Sequence, residues 1–431
     1  MKPLTSIDIL REIKNQDHSE LFKDLYGKLS PDSQALKRLE DLCQHSETNS
    51  THFFSAPGRT ELGGNHTDHN LGKVLCAAVQ NDTLAAVSKR VDGKVVINSE
   101  GFGKQFVVDI RELKPNPGEM GETTALIRGV LAGISERGGN IGGFDAQITS
   151  NVGVGSGLSS SAAFEVLIGT IINNLYNNDL ISAPEIARIG QYAENKYFGK
   201  PCGLMDQTAS AVGGVLEIDF KDPESIDIKP VHYDFSTEDY TLVVVNTGST
   251  HTDLTYAYAS IPEEMRLVAG VLGVEQLRAV DEEVFLDRIL SIREKLGDRA
   301  VLRALHFYRE NERVNQMAAA LEEDDFEVFL GLVSASGESS RSILQNAIPP
   351  HSDGTEQGLA FALGISQLFF EQKGRGVARV HGGGFAGTIQ AYIHTDDFDA
   401  YHDKMSNIFG INSVQILHIR NNGARSILEL N

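Results

Sequence analysis

A run of glycines and serines at residues 151 to 166, NVGVGSGLSSSAAFEV, carries residue types that can hold a phosphate group. The glycines stand at alternate positions, and three consecutive serines follow them. A glycine loop that leads into a helix lets an anion approach the free N–H groups of the helix N-terminus. A serine at that junction can give Mg²⁺ an oxygen ligand. The alternative is a tight turn in which serine only caps the helix, and both readings are open on the residue types alone.

Other phosphate motifs fit this stretch poorly. It has no Gly-Lys-Ser/Thr of a Walker loop, and its spacing is GxGxG instead of the GxGxxG of dinucleotide-binding loops. An NAD-dependent oxidoreductase built on the glycine turn remains an alternative, although the chain lacks an early strand–glycine–helix unit.

A second polar stretch, GGNHTDHNLG at residues 63 to 72, places His66, Asp68 and His69 close together in sequence. Histidine and aspartate are metal-ligand types, so a metal cluster is one interpretation. Hydrogen bonding to a polar small molecule is the other.

The elements that position these stretches follow from the spacing of apolar residues. The stretch 143 to 152 alternates like a strand, and apolar residues keep helical spacing after the serines, so the glycines lie between a strand and a helix. Asp92-Gly93 predicts a hairpin turn between two strands. Mixed elements without a regular βαβ count indicate an α+β protein of two lobes. Further helices are expected at 183–198 and over most of 261–333, and strands at 213–220 and 240–247.

We divide the chain into three parts. Residues 1–50 have helical apolar spacing, as at Leu36, Leu39 and Leu42, and predict peripheral helices. Residues 51–225 form a first domain and residues 226–431 a second one.

Composition limits the partners. The 431 residues have 41% hydrophobic content and a formal charge of −21, which argues against nucleic acid or an anionic membrane as a partner. The apolar runs fall short of the ~18 residues of a membrane span, the start of the chain is charged, and the three cysteines form no CxxC pair. We expect a cytoplasmic protein and a monomer.

Three stretches together resemble the signature regions of the GHMP small-molecule kinases, and among these the galactokinases in particular. They are APGRTELGGNHTDHNLGKVL (56 to 75), the glycine–serine stretch, and CGLMDQTASAVGG (202 to 214) with RVHGGGFAGT (379 to 388). The likeness runs from about residue 52 to the C-terminus. It implies a two-lobed GHMP-kinase-like fold with the active site between the lobes, and transfer of a phosphoryl group from ATP to the anomeric hydroxyl of galactose, with Mg²⁺ as cofactor.

The resemblance also implies roles for single residues. Asp206 is the base that accepts the sugar proton, and Arg59 keeps it ionised and offsets charge at the phosphoryl group. Ser161 and Glu194 are the Mg²⁺ ligands; Glu194 taken alone would be a solvated helix charge. Residues Gly382 to Gly384 form a second loop that closes on nucleotide or sugar. The expected ATP-binding residues are Gly153, Gly155, Ser156, Gly157, Leu158, Ser159, Ser160 and Ser161. The expected sugar-binding residues are Arg59, Asn65, His66, Asp68, Gly203, Asp206 and Tyr258.

The chain departs from the galactokinase pattern at four positions. Asn65 replaces a glutamate that contacts the hydroxymethyl end of galactose, and Glu61 replaces an asparagine; His69 and His381 replace tyrosine and threonine. An amide at residue 65 would admit a sugar acid such as galacturonate, and L-arabinose is a further candidate. If the segment is helical, Glu61 and Asn65 share one face and keep the same two groups with their places exchanged. A sensor that binds sugar and ATP without reaction is a third possibility.

Overall fold

Two β-sheets with helices packed on them form the framework of the protein. The computed structural model describes residues 5–27, 30–45, 51–153, 157–248, 254–350 and 354–430. The helices are α1 Ser6–Asn15, α2 Ser19–Tyr26, α3 Gln34–His45, α4 Thr123–Glu136, α5 Ser160–Asn177, α6 Ala183–Ala193, α7 Met205–Val212, α8 Thr255–Leu272, α9 Glu282–Asp287, α10 Ile289–Leu296, α11 Asp298–Glu322, α12 Phe326–Ser339, α13 Gly358–Lys373 and α14 Phe398–Phe409. The strands are β1 Thr51–Gly63, β2 Lys73–Arg90, β3 Lys94–Ser99, β4 Phe106–Asp109, β5 Gly143–Ser150, β6 Val215–Asp219, β7 Asp227–Val231, β8 Tyr240–Asn246, β9 Val377–His381, β10 Thr388–His394, β11 Val414–Leu417 and β12 Arg425–Leu430.

The first sheet is built on the long strands β1 and β2. Its order is β12-β1-β2-β5-β3-β4. Strand β5 pairs with the second half of β2, β6 pairs with the first residues of β2, and β7 pairs with β6. Helices α4, α5 and α6 cover one face through an apolar core that includes Phe144, Ile168 and Ile189. The strand predicted at 143–152 and the helix predicted after the serines are confirmed as β5 and α5, with the glycine loop between them.

The hairpin predicted at Asp92-Gly93 is wrong. Both strands exist, but β5 lies between them, antiparallel to β2 and parallel to β3. Gly143, the first residue of β5, makes this insertion possible, because a Cβ there would meet the backbone carbonyl oxygen of Lys94 at 2.7 Å. The turn itself is held by side chains, with Arg90 Nε donating to Asp92 Oδ1 at 3.0 Å.

The second sheet has the order β11-β8-β10-β9, and helices α13 and α14 contribute to the apolar core on it. Helices α11 and α12 share one core with both sheets, in which Leu75 of β2, Val314 of α11 and Tyr392 of β10 are buried together. The two sheets are therefore fixed to each other by packing. This places the end of β1 beside the loop that follows β9.

The chain beyond residue 225 contributes to both sheets. Strands β7 and β12 lie in the first sheet, and the remaining strands after residue 225 form the second. The boundary near residue 225 stays a prediction. Helices α1 to α3 pack on β1, β2 and β12 through a separate apolar cluster that includes Leu36, Leu39 and Leu42.

Within the described ranges, none of the helices has the length and apolar character that a membrane span requires.

Candidate active site

A cavity of about 220 Å³ lies where β1, the start of α7 and the loop after β9 meet. It brings together residues from three stretches that are more than a hundred residues apart in sequence. The predicted residues Arg59, Asn65, His66, Asp68, Gly203 and Asp206 all line it, together with Glu61, His69, Pro201, Cys202, Met205, Gly382 and Gly383.

Asp206 and Arg59 form the central ion pair of this cavity. Arg59 Nε donates to Asp206 Oδ1 at 2.8 Å, and the Ser159 hydroxyl donates to Asp206 Oδ2 at 2.5 Å. Burial opposes ionisation of Asp206, but the charge of Arg59 and the hydrogen bonds from Arg59 and Ser159 together outweigh it and lower the pKa of this carboxyl group. Each carboxylate oxygen keeps a further lone pair. The arrangement can hold an ionised carboxylate that accepts a proton from a bound hydroxyl.

The glycine–serine loop is anchored directly to β1. The amide of Arg59 donates to the carbonyl of Leu158 at 3.0 Å, and the Arg59 guanidinium donates to the carbonyl of Gly157. A Cβ on Gly58 would meet the Leu158 carbonyl oxygen at 2.7 Å, so this contact requires glycine. Gly153, the last described residue before the loop, is exposed. The predicted residues Gly155 and Ser156 lie outside the described residues.

The N-terminus of α5 has no side-chain cap. Ser159, the residue before the helix, has φ +62°, and its hydroxyl turns to Asp206 instead of to the helix. Ser160 and Ser161 form the first turn and are half-buried. The reading of these serines as helix caps is therefore wrong for Ser159, and the helix leaves N–H donors for an anion.

Glu194 is buried, which excludes the solvated helix charge. Only 3% of it is exposed, and its Oε1 atom lies 3.4 Å from the Ser161 hydroxyl and 3.0 Å from Lys200 Nζ. The side-chain amide of Gln207 donates to Glu194 at 3.0 Å and to Glu165 at 3.1 Å, and so joins two buried carboxyl groups. Ser161 and Glu194 thus offer adjacent oxygens beside the N-terminus of α5, a donor set that suits Mg²⁺.

Glu61 and Asn65 are in contact although the segment is not helical. Glu61 lies at the end of β1 and Asn65 follows in a loop, and the Asn65 amide donates to Glu61 Oε1 at 3.1 Å. It also donates to the carbonyl of Gly382 at 2.7 Å, and its oxygen accepts from Asn346 at 2.7 Å. Arg379, which is fully buried, pairs with Glu61 at 2.6 Å. Glu61 and Asn65 therefore do not share a helix face, but the amide and the carboxylate do lie side by side.

His66 and Asp68 are half-buried in the cavity wall. His66 Nε2 donates to the carbonyl of Gly383 at 2.8 Å, and burial lowers its pKa to about 4, so the ring is neutral at pH 7. Asp68 accepts from the amide of His69 at 2.9 Å. A Cβ on Gly203 would meet Asp68 Oδ2 at 2.3 Å, so any larger residue there would displace this carboxylate. The described part of the chain contains no group of three or more metal-ligand side chains placed to hold a metal ion.

Tyr258 does not line the cavity. Its hydroxyl donates to the carbonyl of Gly384 at 2.8 Å, and its ring packs edge-on against Phe385. A Cβ on Gly383 would meet the Tyr258 ring at 2.5 Å. Tyr258 therefore supports the glycine loop from behind, and direct contact with a sugar stays a prediction.

His381, which replaces the expected threonine, is buried under the loop. Its two ring nitrogens lie 3.0 Å from the hydroxyls of Thr60 and Thr388. Burial lowers its pKa to about 3. A Cβ on Gly157 would approach the ring at 2.8 Å. The imidazole thus fills the space beneath Gly157.

Sequence reasoning missed several contacts of these residues. Gln207, Lys200 and Arg379 bind carboxylates of the site, and the Ser159 hydroxyl binds Asp206. For Gln207 alone the sequence contains a signal, because this residue directly follows Asp206. The partners are between 6 and 318 residues apart, so no local spacing indicates them.

Comparisons with known proteins agree with this geometry. The model for the GHMP kinases N terminal domain matches residues 125–214, and the galactokinase galactose-binding signature matches residues 42–89. The chain is 33% identical to a galactokinase of Glaesserella parasuis over 83% of this chain and 89% of that protein. It is 34% identical to a galactokinase of Streptomyces coelicolor over 83% and 88% of the two chains.

Solved structures give the same result. The fold is similar to that of Lactococcus lactis galactokinase complexed with galactose, with a TM-score of 0.73, 25% identity and coverage of 95% of this chain and 99% of that one. A mevalonate kinase, 15% identical, shares the fold with a TM-score of 0.61 over 86% and 99% of the chains. The predicted α+β fold and sugar-kinase class are confirmed, and the protein belongs to the galactokinase branch of the GHMP kinase family.

Proposed function

We propose that this protein transfers the γ-phosphoryl group of ATP to the anomeric hydroxyl of galactose, giving galactose 1-phosphate and ADP. The observation that carries the proposal is the ion pair of Asp206 with Arg59 at 2.8 Å in a cavity lined by the galactokinase signature. It is supported by the galactokinase relatives at 33% and 34% identity.

In this mechanism Asp206 accepts the proton of the anomeric hydroxyl as that oxygen attacks phosphorus. Arg59 lowers the pKa of Asp206, so the carboxylate is ionised at pH 7 and ready to accept a proton. Phosphoryl transfer passes through a loose transition state, so positioning and charge stabilisation matter more than covalent help. The N–H groups of α5 and the loop residues before it hold the phosphates.

The residues present fit Mg²⁺. The hydroxyl of Ser161 and the carboxylate of Glu194 are the hard oxygen donors that would hold it. A Mg²⁺ ion held by these two groups would neutralise charge on the phosphates of ATP. The ammonium group of Lys200 donates to the same oxygen of Glu194 at 3.0 Å and offsets part of the negative charge of this carboxylate.

The charges of the cavity favour a neutral sugar. Arg59 is paired with Asp206, and the buried Arg379 is paired with Glu61. The carboxylate of Asp68 also lines the cavity, and His66 is neutral. Although Asn65 replaces a glutamate, this wall still contains a carboxylate, because Asn65 is hydrogen-bonded to Glu61. A sugar acid would bring another negative charge to this surface. We therefore favour galactose over galacturonate.

The test is the release of ADP by the purified protein with galactose, galacturonate or L-arabinose, with product identified by NMR. We expect galactose to give the highest kcat/KM and galactose 1-phosphate as product. A tenfold advantage for galacturonate would refute the choice of substrate. Binding of sugar and ATP without ADP release would show the sensor instead.

A further inference from the structure

A buried polar cluster connects the N-terminal helices to the strand that carries the phosphate loop. We call it the Asp82 cluster, and its centre is Asp82 on β2, whose side chain has no exposed surface. The other members come from α2, α3, β1 and the segment before β12. They are Tyr26, Arg38, Ser55 and Arg420.

The N-terminal helices supply two of these contacts. Tyr26 of α2 donates its hydroxyl to Asp82 Oδ2 at 2.6 Å, and Arg38 of α3 donates to Asp82 Oδ1 at 2.7 Å. The second terminal nitrogen of Arg38 donates to two carbonyls, that of Asp82 at 3.0 Å and that of Thr149 on β5 at 3.1 Å. Arg38 thus connects β2 to the end of β5, the strand that leads into the phosphate loop.

Asn151 links this cluster to the loop. Its amide donates to the same Asp82 carbonyl at 3.1 Å, and its side-chain oxygen accepts from the Asp82 amide at 2.7 Å. Its own carbonyl accepts from Asn81 at 3.1 Å. Asn151 stands two residues before Gly153, so these bonds fix the point at which the chain leaves β5 for the loop.

We propose that Arg38 and Tyr26 are positioning residues for ATP, which act through Asp82 and Asn151 on the start of the phosphate loop. The inference rests on the proposed function of that loop. It assigns a role to α2 and α3, which belong to the N-terminal part predicted from the sequence as peripheral helices. The geometry supports this role, because the Asp82 carbonyl accepts hydrogen bonds from both Arg38 and Asn151. These two bonds use both lone pairs of the oxygen, so Arg38 and Asn151 are joined through one fully occupied acceptor.

The test compares steady-state kinetics and ATP binding by calorimetry in the full-length protein. Arg38→Met should raise the KM and Kd for ATP by about tenfold, since loss of about one hydrogen bond from the displaced loop to a charged phosphate weakens binding by that order. The kcat and the KM for galactose should stay within about twofold, because the sugar contacts are elsewhere. Arg38→Lys, which keeps the charge, should recover part of the loss. Tyr26→Phe, which removes one hydrogen bond, should give a smaller rise.

The control is Leu39→Ala, in the same helix but in its apolar cluster. It lowers stability without touching Asp82, and it should leave the KM for ATP unchanged. The proposal is overturned if Leu39→Ala raises the KM for ATP as much as Arg38→Met at a matched fall in Tm. It is also overturned if Tyr26→Phe binds ATP like the wild type, which decides the matter should Arg38→Met fail to fold. Absence of ATP binding by the wild type would instead refute the proposed function.

Discussion

Exchange of Glu61 and Asn65 tests how the sugar-pocket wall is held together. In Glu61→Asn, the fully buried Arg379 loses its carboxylate, and two of its nitrogens already lack a partner among the described residues. Removal of one member of a buried ion pair costs about 3–5 kcal/mol. We expect this variant to be strongly destabilised.

Asn65→Glu should also destabilise the protein. It removes the two hydrogen bonds that the amide donates to Glu61 and Gly382, each worth about 1 kcal/mol or more. It also puts a second carboxylate beside Glu61, and two like charges about 4 Å apart cost about 4 kcal/mol at an effective dielectric constant of about 20. The positive charge of Arg379 offsets part of this.

The double variant restores one carboxylate and one amide at the same wall. Its free energy of unfolding should therefore exceed the additive expectation by about 3 kcal/mol, since contacting residues couple by about 0.5–3 kcal/mol. Urea unfolding of the four proteins measures this coupling, and kcat/KM for galactose should recover in the double variant relative to both single ones. Additive losses, within about 0.5 kcal/mol, would refute the reasoning. Should the single variants fail to fold, recovery of soluble double variant carries the same information.

Four further predictions concern the catalytic pair, the metal ligand, the sugar wall and pH. Asp206→Asn should lower kcat by about 10²–10⁴, the usual contribution of a general base, with ATP affinity by calorimetry largely retained; turnover within tenfold of wild type would contradict the role. Glu194→Gln should raise the Mg²⁺ concentration that gives half-maximal rate, because a hard cation loses an anionic ligand; an unchanged Mg²⁺ titration would show that the ligand is elsewhere. Gly203→Ala should raise the KM for galactose with little change in the KM for ATP, because the new Cβ collides with Asp68. An equal rise in the KM of both substrates would contradict this prediction. The native protein should lose stability as pH falls below about 6.5, since His381 has a pKa of about 3 when folded and takes up a proton only on unfolding. Urea unfolding at pH 7 and 5 should show a smaller loss for His381→Gln than for the wild type.

Local sequence determined the parts of this protein that depend on neighbouring residues. Alternation predicted β5, helical spacing predicted α5, and the glycines between them predicted the loop, because each follows from the period of side chains along one element. The signature stretches predicted the family and the sugar-kinase class. The residues that line the cavity were largely in those stretches too.

Tertiary structure decided which distant groups meet. β5 separates the two strands on either side of Asp92-Gly93 because Gly143 admits the backbone of β3 at close range, and no turn signal records such an insertion. Asn65 reads as the loss of a carboxylate in the sequence, yet the cavity keeps one, because the end of β1 brings Glu61 to the same wall and Arg379 from β9 holds it there. The first 50 residues show only amphipathic helices in sequence. Their link to the phosphate loop arises because the Arg38 guanidinium donates to the carbonyls of Asp82 and Thr149, and Asn151 in turn bonds to the backbone of Asp82. Long-range hydrogen bonds depend on where the sheets place their ends, and the pattern of a single segment does not contain that position.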